Sequence, residues 1–106
     1  MVTVLVKLSA PPSKSLELKQ TLVALVASNR NEEGCLDHGV FQDVEHEHSF
    51  CLVGHWKSRK HLDVHLQSDS FAVLEGTRSL LSKEPVMMIF EESRPEGFAP
   101  KSRPRS

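Results

Sequence analysis

The spacing of apolar residues changes along residues 1–90 in an order that strongly limits the possible folds. Apolar residues at every second position, or in short β-branched runs, are typical of strands, whereas spacings of three and four are typical of helices. The strand-like segments are 1–8, 35–44, 50–56 and 86–90, and the helix-like segments are 13–31 and 58–81. The order β-α-β-β-α-β predicts an α+β fold, namely a ferredoxin-like antiparallel sheet with its helices on one face.

Prolines, serines and a glycine mark the expected limits of the first helix. Pro11 and Pro12 stop the first strand, and Ser13 or Ser15 is expected to cap the helix that follows. The helix is expected to end before Gly34. Its apolar stripe comprises Leu16, Leu18, Leu22, Leu25 and Val26.

The second helical segment is divided into two short helices. Ser58 is expected to begin the first, which runs to about Gln67. Ser68 or Ser70 is expected to begin the second, which runs to about Leu81. The second crossover of the sheet therefore consists of two short helices rather than one long one.

Alternation along the two middle strands assigns several side chains to faces. His38 shares a face with Leu36 and Val40, while Trp56 ends the core-facing side of the next strand. His55 points the opposite way from Trp56. We expect His38 and Trp56 to lie apart rather than in one cavity, and the alternation leaves open whether His38 or His55 faces a pocket.

Composition and charge exclude several classes of protein. The 106 residues carry a formal net charge of −1 at pH 7, which gives no support to binding of nucleic acid or a membrane surface. The apolar runs are far shorter than the ~20 residues that span a bilayer, and no signal-peptide pattern is present. Cys35, which alternation groups with Asp37, and Cys51 lack disulfide or zinc spacing, so a reduced, cytoplasmic protein is expected.

The segment 93–106 differs from the rest of the chain. It contains four basic residues, one acidic residue and three prolines, with no apolar periodicity. Such a segment cannot bury enough apolar surface to fold by itself. We therefore predict one folded domain over residues 1–92 and a flexible basic tail over 93–106, in which Phe98 is the residue that could anchor to the domain.

A series of short motifs resembles a known family. The motifs are a Glu-Glu turn before Gly34-Cys35-Leu36, then Val40-Phe41-Gln42-Asp43, Phe50-x-Leu52-Val53-x-x-Trp56-x-Ser58 and His65-Leu66-x-Ser68-x-x-Phe71. Over about residues 2–91 their order resembles the antibiotic biosynthesis monooxygenase (ABM) domain, whose small members include quinol monooxygenase-like proteins. The resemblance implies a homodimer, in which two ferredoxin-like sheets pack face to face as a dimeric α/β barrel, with an apolar pocket in each subunit.

The resemblance also implies an activity, namely oxidation of a small phenolic or quinol-type aromatic by dioxygen without a cofactor. A histidine can exchange a proton near neutral pH, so His65 is the candidate base that deprotonates the phenolic hydroxyl. Trp56 is the second candidate catalytic residue, because a flat ring can stack against it. The candidate substrate-binding residues are Leu52, Phe71, Leu74 and His38.

Departures from the family pattern keep other functions open. Leu52 stands where some polyphenol oxygenases carry Asn, and the chain has no tyrosine, so a non-catalytic, ligand-binding dimer of the same fold is the alternative. Gly54 stands where many relatives carry Glu. Haem degradation is a further alternative, for which Trp56 matches the family pattern, whereas Lys7 and Glu75 stand near the two other positions that haem-degrading relatives use.

Two histidine pairs resemble parts of metal sites. His61 and His65 are four residues apart on a helix, and His46 and His48 lie in a turn. Each pair supplies two ligands where zinc needs three or four, so we expect no metal site. A cysteine nucleophile is a further alternative, which would need an adjacent base.

Overall fold

The computed structural model describes residues 1–97 and contains a four-stranded antiparallel sheet with three α-helices. The strands are β1 (Val2–Ser9), β2 (Cys35–Gln42), β3 (Ser49–Trp56) and β4 (Val86–Phe90), and the helices are α1 (Pro12–Asn29), α2 (Arg59–Leu66) and α3 (Asp69–Gly76), with a 3₁₀ helix at Thr77–Leu80. The strand order is β2-β3-β1-β4, and every neighbouring pair is antiparallel. This arrangement confirms the predicted ferredoxin-like α+β fold.

The first helix begins at a proline rather than after a serine cap. Its N-cap is Pro11, which is extended and makes no side-chain cap hydrogen bond, and Pro12 occupies the first helical position. A proline there sacrifices no helical hydrogen bond, because the first N–H groups of a helix have no partner within it. The predicted cap by Ser13 or Ser15 is therefore wrong, and Ser15 is instead buried.

The two short helices of the second crossover each begin after a serine, as predicted. The Ser58 hydroxyl accepts a hydrogen bond from the backbone N–H of His61 at 3.3 Å. The Ser68 hydroxyl accepts one from the backbone N–H of Phe71 at 3.2 Å. These caps satisfy N–H groups that a helix of eight residues would otherwise leave unpaired.

Two elements end sooner than predicted. The helix α3 ends at Gly76, after which the chain tightens into a 3₁₀ helix. The strand β2 ends at Gln42, so Val44 lies beyond it and is 99% exposed. In both cases the spacing of apolar residues continues beyond the end of the element, so the sequence predicted too long a helix and too long a strand.

The core lies between one face of the sheet and the helices. Alternate residues of β1 and β3 face it, together with one stripe of α1. The buried apolar residues are Val2, Val4, Val6, Leu8, Ala10, Leu18, Leu22, Leu25, Val26, Phe50, Leu52, Trp56 and Leu62. Leu16 was predicted in this stripe but is 65% exposed, because the buried stripe of α1 starts from Ser15 and turns Leu16 toward solvent.

An irregularity near the start of β2 changes which residues face the core. Cys35 pairs with Trp56 and Asp37 pairs with His55, so Leu36 is an extra residue between the two pairs. Cys35 therefore packs against the core, while Leu36 is 55% exposed. Uninterrupted alternation predicted the opposite face for Cys35 and for Leu36, and that prediction is wrong.

The second face of the sheet carries apolar side chains that remain partly exposed. We call it the outer face, and its apolar residues are Leu5, Phe41, Val53, Val86, Met88 and Phe90. Leu5 lies between Val53 on β3 and Met88 on β4, so these three form a continuous row. Phe41 is 58% exposed and Phe90 46% exposed, which is unusual for aromatic side chains of one sheet face.

Hydrogen bonds join the N-terminus to the segment after β4. The Met1 ammonium group donates to the Ser93 carbonyl at 3.1 Å, and the Thr3 and Ser93 hydroxyls are 2.7 Å apart. Phe98 lies outside the described residues, so its anchoring role and the flexible tail stay predictions. No helix in residues 1–97 is long and apolar enough to cross a membrane.

Candidate active site

A small, mostly enclosed cavity lies between the inner face of the sheet and the short helices. Its volume is about 20 Å³. All six residues that the sequence proposed for the site line it, namely His65, Trp56, Leu52, Phe71, Leu74 and His38. Asn29 also lines it, and the sequence did not point to this residue. The fold therefore brings the proposed residues to one place; their chemical roles stay predictions.

His65 is held in one orientation by a carboxylate and an aromatic ring. Its Nδ1–H donates to Oε1 of Glu32 at 2.8 Å, and its side chain is 8% exposed. The imidazole stacks on Trp56, with ring centres 4.5 Å apart and planes inclined by 26°. Because Nδ1 is committed to Glu32, Nε2 is the nitrogen left with a free lone pair. This is the tautomer that a general base requires.

Glu32 is a residue of the candidate site that sequence reasoning missed. It lies in the loop between α1 and β2, 33 residues before His65. The same loop contains Gly34, whose φ of +83° favours glycine and whose carbonyl accepts a hydrogen bond from the Lys57 N–H at 2.8 Å. A Cβ at Gly34 would lie 2.2 Å from the His61 ring, so the loop can approach α2 only with glycine there. The Glu-Glu-Gly turn was the available signal.

His38, not His55, is the β2–β3 histidine that lines the cavity. Its ring centre is 6.5 Å from that of Trp56, in an edge-on arrangement. The expectation that the two residues lie apart is wrong, because the strand register pairs His38 with Gly54, two residues before Trp56 on the same face. His55 lies on the outer face, where it is hydrogen-bonded to Asp37.

Gly54 leaves the space that the His38 ring occupies. A Cβ at this position would lie 2.7 Å from Cδ2 of His38 and 3.1 Å from Nε1 of Trp56. Both distances are too short for an unstrained contact. A side chain at position 54, including the Glu that the resemblance leads us to expect there, therefore does not fit beside His38 in this arrangement.

A chain of polar side chains reaches His38 from α3. The Ser70 hydroxyl donates to Oδ1 of Asn29, whose Nδ2 lies 3.3 Å from Nε2 of His38. Asn29 is 4% exposed and His38 is 8% exposed. Burial lowers the pKa of His38 to about 4, and repulsion from His65, when that ring is protonated, and from Arg30 acts in the same direction, so the His38 ring is neutral at pH 7.

The remaining wall of the cavity is apolar and comes partly from α3. Phe71 approaches His65 edge-on, with ring centres 5.8 Å apart, and Leu74 packs against the core. No apolar residue of α3 is fully buried, and Val73 is 51% exposed. This helix is therefore the most weakly packed part of the cavity wall.

The geometry gives little support to a metal site at His61 and His65 or to a cysteine nucleophile. His61 forms a hydrogen bond with Ser58 at 2.7 Å, while His65 is bonded to Glu32, so the two rings have separate partners. Within residues 1–97 no group of three His, Cys, Asp or Glu side chains could hold a metal ion. Burial raises the pKa of both thiols, Cys35 and Cys51, which disfavours the nucleophilic thiolate.

Comparison with known proteins identifies the family. The model of the antibiotic biosynthesis monooxygenase family matches residues 1–75, so the chain belongs to this family. An uncharacterized protein of Synechocystis sp. is 27% identical over 81 residues, which are 76% of this chain and 55% of the relative. The chain thus spans about half the length of that curated relative.

Solved structures share the fold along almost the whole described chain. A proposed antibiotic biosynthesis monooxygenase from Deinococcus radiodurans superposes with a TM-score of 0.85, at 23% identity, covering 93% of this chain and 99% of the other. A conserved protein from Methanosarcina mazei superposes with a TM-score of 0.80, at 29% identity, covering 87% and 92%. These similarities establish the monooxygenase-type fold.

Proposed function

We propose that the protein is a cofactor-independent monooxygenase that oxidises a small phenolic or quinol-type aromatic with dioxygen. The observation that carries the proposal is the orientation of His65, which is bonded to Glu32, stacked on Trp56 and beside an apolar cavity. A buried base with one bare nitrogen, next to an aromatic wall, suits deprotonation of a phenol. Membership of the ABM family supports the same class of reaction.

The proposed reaction begins with proton transfer. Nε2 of His65 accepts the phenolic proton, and the Glu32 carboxylate stabilises the imidazolium that forms. The phenolate then gives one electron to dioxygen, and the resulting superoxide and phenoxyl radical combine at a ring carbon that bears hydrogen to form a peroxide anion. The imidazolium of His65 returns its proton to this anion, which gives a hydroperoxide and restores the base. Loss of water breaks the O–O bond and leaves a carbonyl. One oxygen atom enters the product, the other leaves as water, and the substrate is the reductant.

Substrate entry requires part of the cavity wall to move. A cavity of about 20 Å³ is far smaller than the roughly 150 Å³ of an engineered cavity that holds benzene. The weakly packed α3 is the element best able to move, because Phe71 and Leu74 cover the cavity while Val73 faces solvent. A groove between α1 and α3 is bordered by Ser70, whose hydroxyl is bonded to the cavity residue Asn29, and we propose this groove as the route of entry.

A non-catalytic ligand-binding protein of the same fold is the second candidate function. The wall of the cavity is apolar at Leu52, and the chain has no tyrosine, so few polar groups can orient a substrate. The two candidates share the binding cavity. They differ in whether dioxygen is consumed.

We further propose that the active form is a cytoplasmic homodimer. The outer face presents a row of apolar side chains, with Phe41 58% exposed, and a second copy is the natural cover for such a face. Two unpaired cysteines, Cys35 and Cys51, support a reducing compartment.

Oxygen uptake across a panel of hydroquinones and anthrones tests the proposed function. We expect protein-dependent uptake with at least one substrate, incorporation of one atom of ¹⁸O from ¹⁸O₂ into the product, and an unchanged rate after exhaustive treatment with a chelator. Heat-denatured protein serves as the control. Binding of the panel without oxygen uptake would support the second candidate and contradict the enzyme.

A further inference from the structure

One ring nitrogen of His38 is buried and lacks a hydrogen-bond partner. Nδ1 is inaccessible to solvent and has no partner within residues 1–97, although His38 lines the cavity. Buried polar groups nearly always have partners, so such an atom points to a missing ligand or water. The cavity that the residue lines has room for one polar atom beside it.

The polar chain from α3 determines which nitrogen carries the proton. The Ser70 hydroxyl donates to Oδ1 of Asn29, which turns the amide NH₂ of Asn29 toward His38. Nε2 of His38 therefore accepts a hydrogen bond, and in a neutral imidazole the proton must then be on Nδ1. The unpartnered atom is a buried N–H donor.

His38 and His65 thus offer complementary groups to the cavity. His65 gives its Nδ1–H to Glu32 and keeps a bare Nε2, whereas His38 uses Nε2 toward Asn29 and keeps an N–H at Nδ1. The two ring centres are 6.4 Å apart. A hydroxyl oxygen between the rings could donate its hydrogen to one nitrogen and accept a hydrogen bond from the other.

We propose that Nδ1–H of His38 stabilises the phenolate oxygen that forms when His65 removes the phenolic proton. The proposal rests on the proposed function and narrows its substrate class to aromatics whose hydroxyl enters the cavity between the two histidines. In this step the O–H bond breaks, its proton moves to Nε2 of His65, and the electron pair stays on oxygen. His38 keeps its own proton and acts only as a donor.

The titratable and charged groups around His38 are engaged in other contacts. Its titratable or charged neighbours are Arg30, Asp37, His55 and His65. The Arg30 guanidinium donates to the backbone carbonyl of His38, and Asp37 is paired with His55 on the outer face. His65 provides the base. None of these four neighbours is placed to donate to the phenolate in the place of His38, so we assign that role to its Nδ1–H.

Two substitutions separate the donor from the rest of the side chain. The amide of His38→Gln reaches the position of Nε2, so it preserves contact with Asn29 but removes the donor at Nδ1. The amide of His38→Asn occupies the position of Nδ1 and preserves a donor there. His48→Gln is the matched control, since His48 also has a buried, unpartnered Nδ1 but does not line the cavity.

The test measures the ionisation of bound 4-nitrophenol, whose phenolate absorbs visible light. Hydrogen bonds to a charged group are strong enough that losing one should raise the pKa of the bound phenol by about one to two pH units. We expect this rise in His38→Gln, a much smaller change in His38→Asn, and none in His48→Gln. Long-range ¹H–¹⁵N spectra of the free protein should show a neutral His38 with its proton on Nδ1.

Several results would overturn the proposal. A phenol that ionises identically in the wild type and in His38→Gln would mean that Nδ1–H serves only a buried water. A proton on Nε2 of His38 in the free protein would contradict the donor assignment. If the pKa of the bound phenol rises in His38→Gln but the wild type consumes no oxygen, this proposal stands and the oxygenase is refuted. If 4-nitrophenol does not bind at millimolar concentration, both are contradicted.

Discussion

Replacing His65 with alanine is expected to lower kcat for oxygen uptake by at least tenfold, and by about 10²–10⁴-fold if proton transfer limits the rate. The reason is geometric. Nδ1 of His65 is hydrogen-bonded to Glu32 and the ring stacks on Trp56, so Nε2 is the nitrogen available to accept a proton from the substrate. Oxygen consumption at saturating substrate measures the effect. Unchanged turnover would contradict the role of His65.

Two controls separate catalysis from folding. His65→Gln removes the base but fills more of the buried space than alanine, and its melting temperature shows whether the fold is retained. His46→Ala removes a histidine whose side chain is 73% exposed and should leave kcat unchanged. Glu32→Gln should lower kcat, because it removes the carboxylate that orients the His65 ring and stabilises its protonated form during proton transfer.

Replacing Val53 with glutamate is expected to weaken the homodimer about 100-fold or more. Val53 lies in the centre of the outer face, beside Leu5 of β1. Twofold symmetry would bury two such carboxylates per dimer, and an unpaired buried charge typically costs about 3–5 kcal/mol. Sedimentation equilibrium over a range of concentrations measures the dissociation constant.

The matched control for the dimer is Val64→Glu on α2. Val64 is 68% exposed, so a carboxylate there stays in water and should not affect association. A wild-type protein that is monomeric at micromolar concentration would contradict the dimer. So would a Val53→Glu variant that dimerises as tightly as the wild type, since the interface would then lie elsewhere.

Much of the fold was predictable because its signals are local. The alternation of Val2, Val4 and Val6 identifies a strand, and a serine followed by helical spacing identifies the start of α2. The interruption at Leu36 was not predictable, because it exists only in the pairing of β2 with β3. The cap at Pro11 was missed since serines are the more common signal.

Most residues that line the cavity were predictable from the sequence, whereas the partners that orient the two histidines were not. Trp56 and His65 belong to motifs of the resemblance, and the structure brings them into contact. Glu32 and Asn29 are hydrogen-bonded to histidines that are 33 and 9 residues away, so these contacts exist only in the folded chain and residue spacing does not reveal them. The misjudged relation of His38 and Trp56 has the same origin, because strand register determines it.

The central claim, that the cavity beside Trp56 binds the aromatic substrate, is tested most directly by the fluorescence of that residue. Trp56 is the only tryptophan in the chain and is 1% exposed, so its emission reports on the cavity. In a titration with a hydroquinone under nitrogen, where no turnover occurs, we predict a saturable change in emission at the same dissociation constant as calorimetry gives. Saturable binding by calorimetry with unchanged Trp56 emission would place the ligand elsewhere and contradict the account.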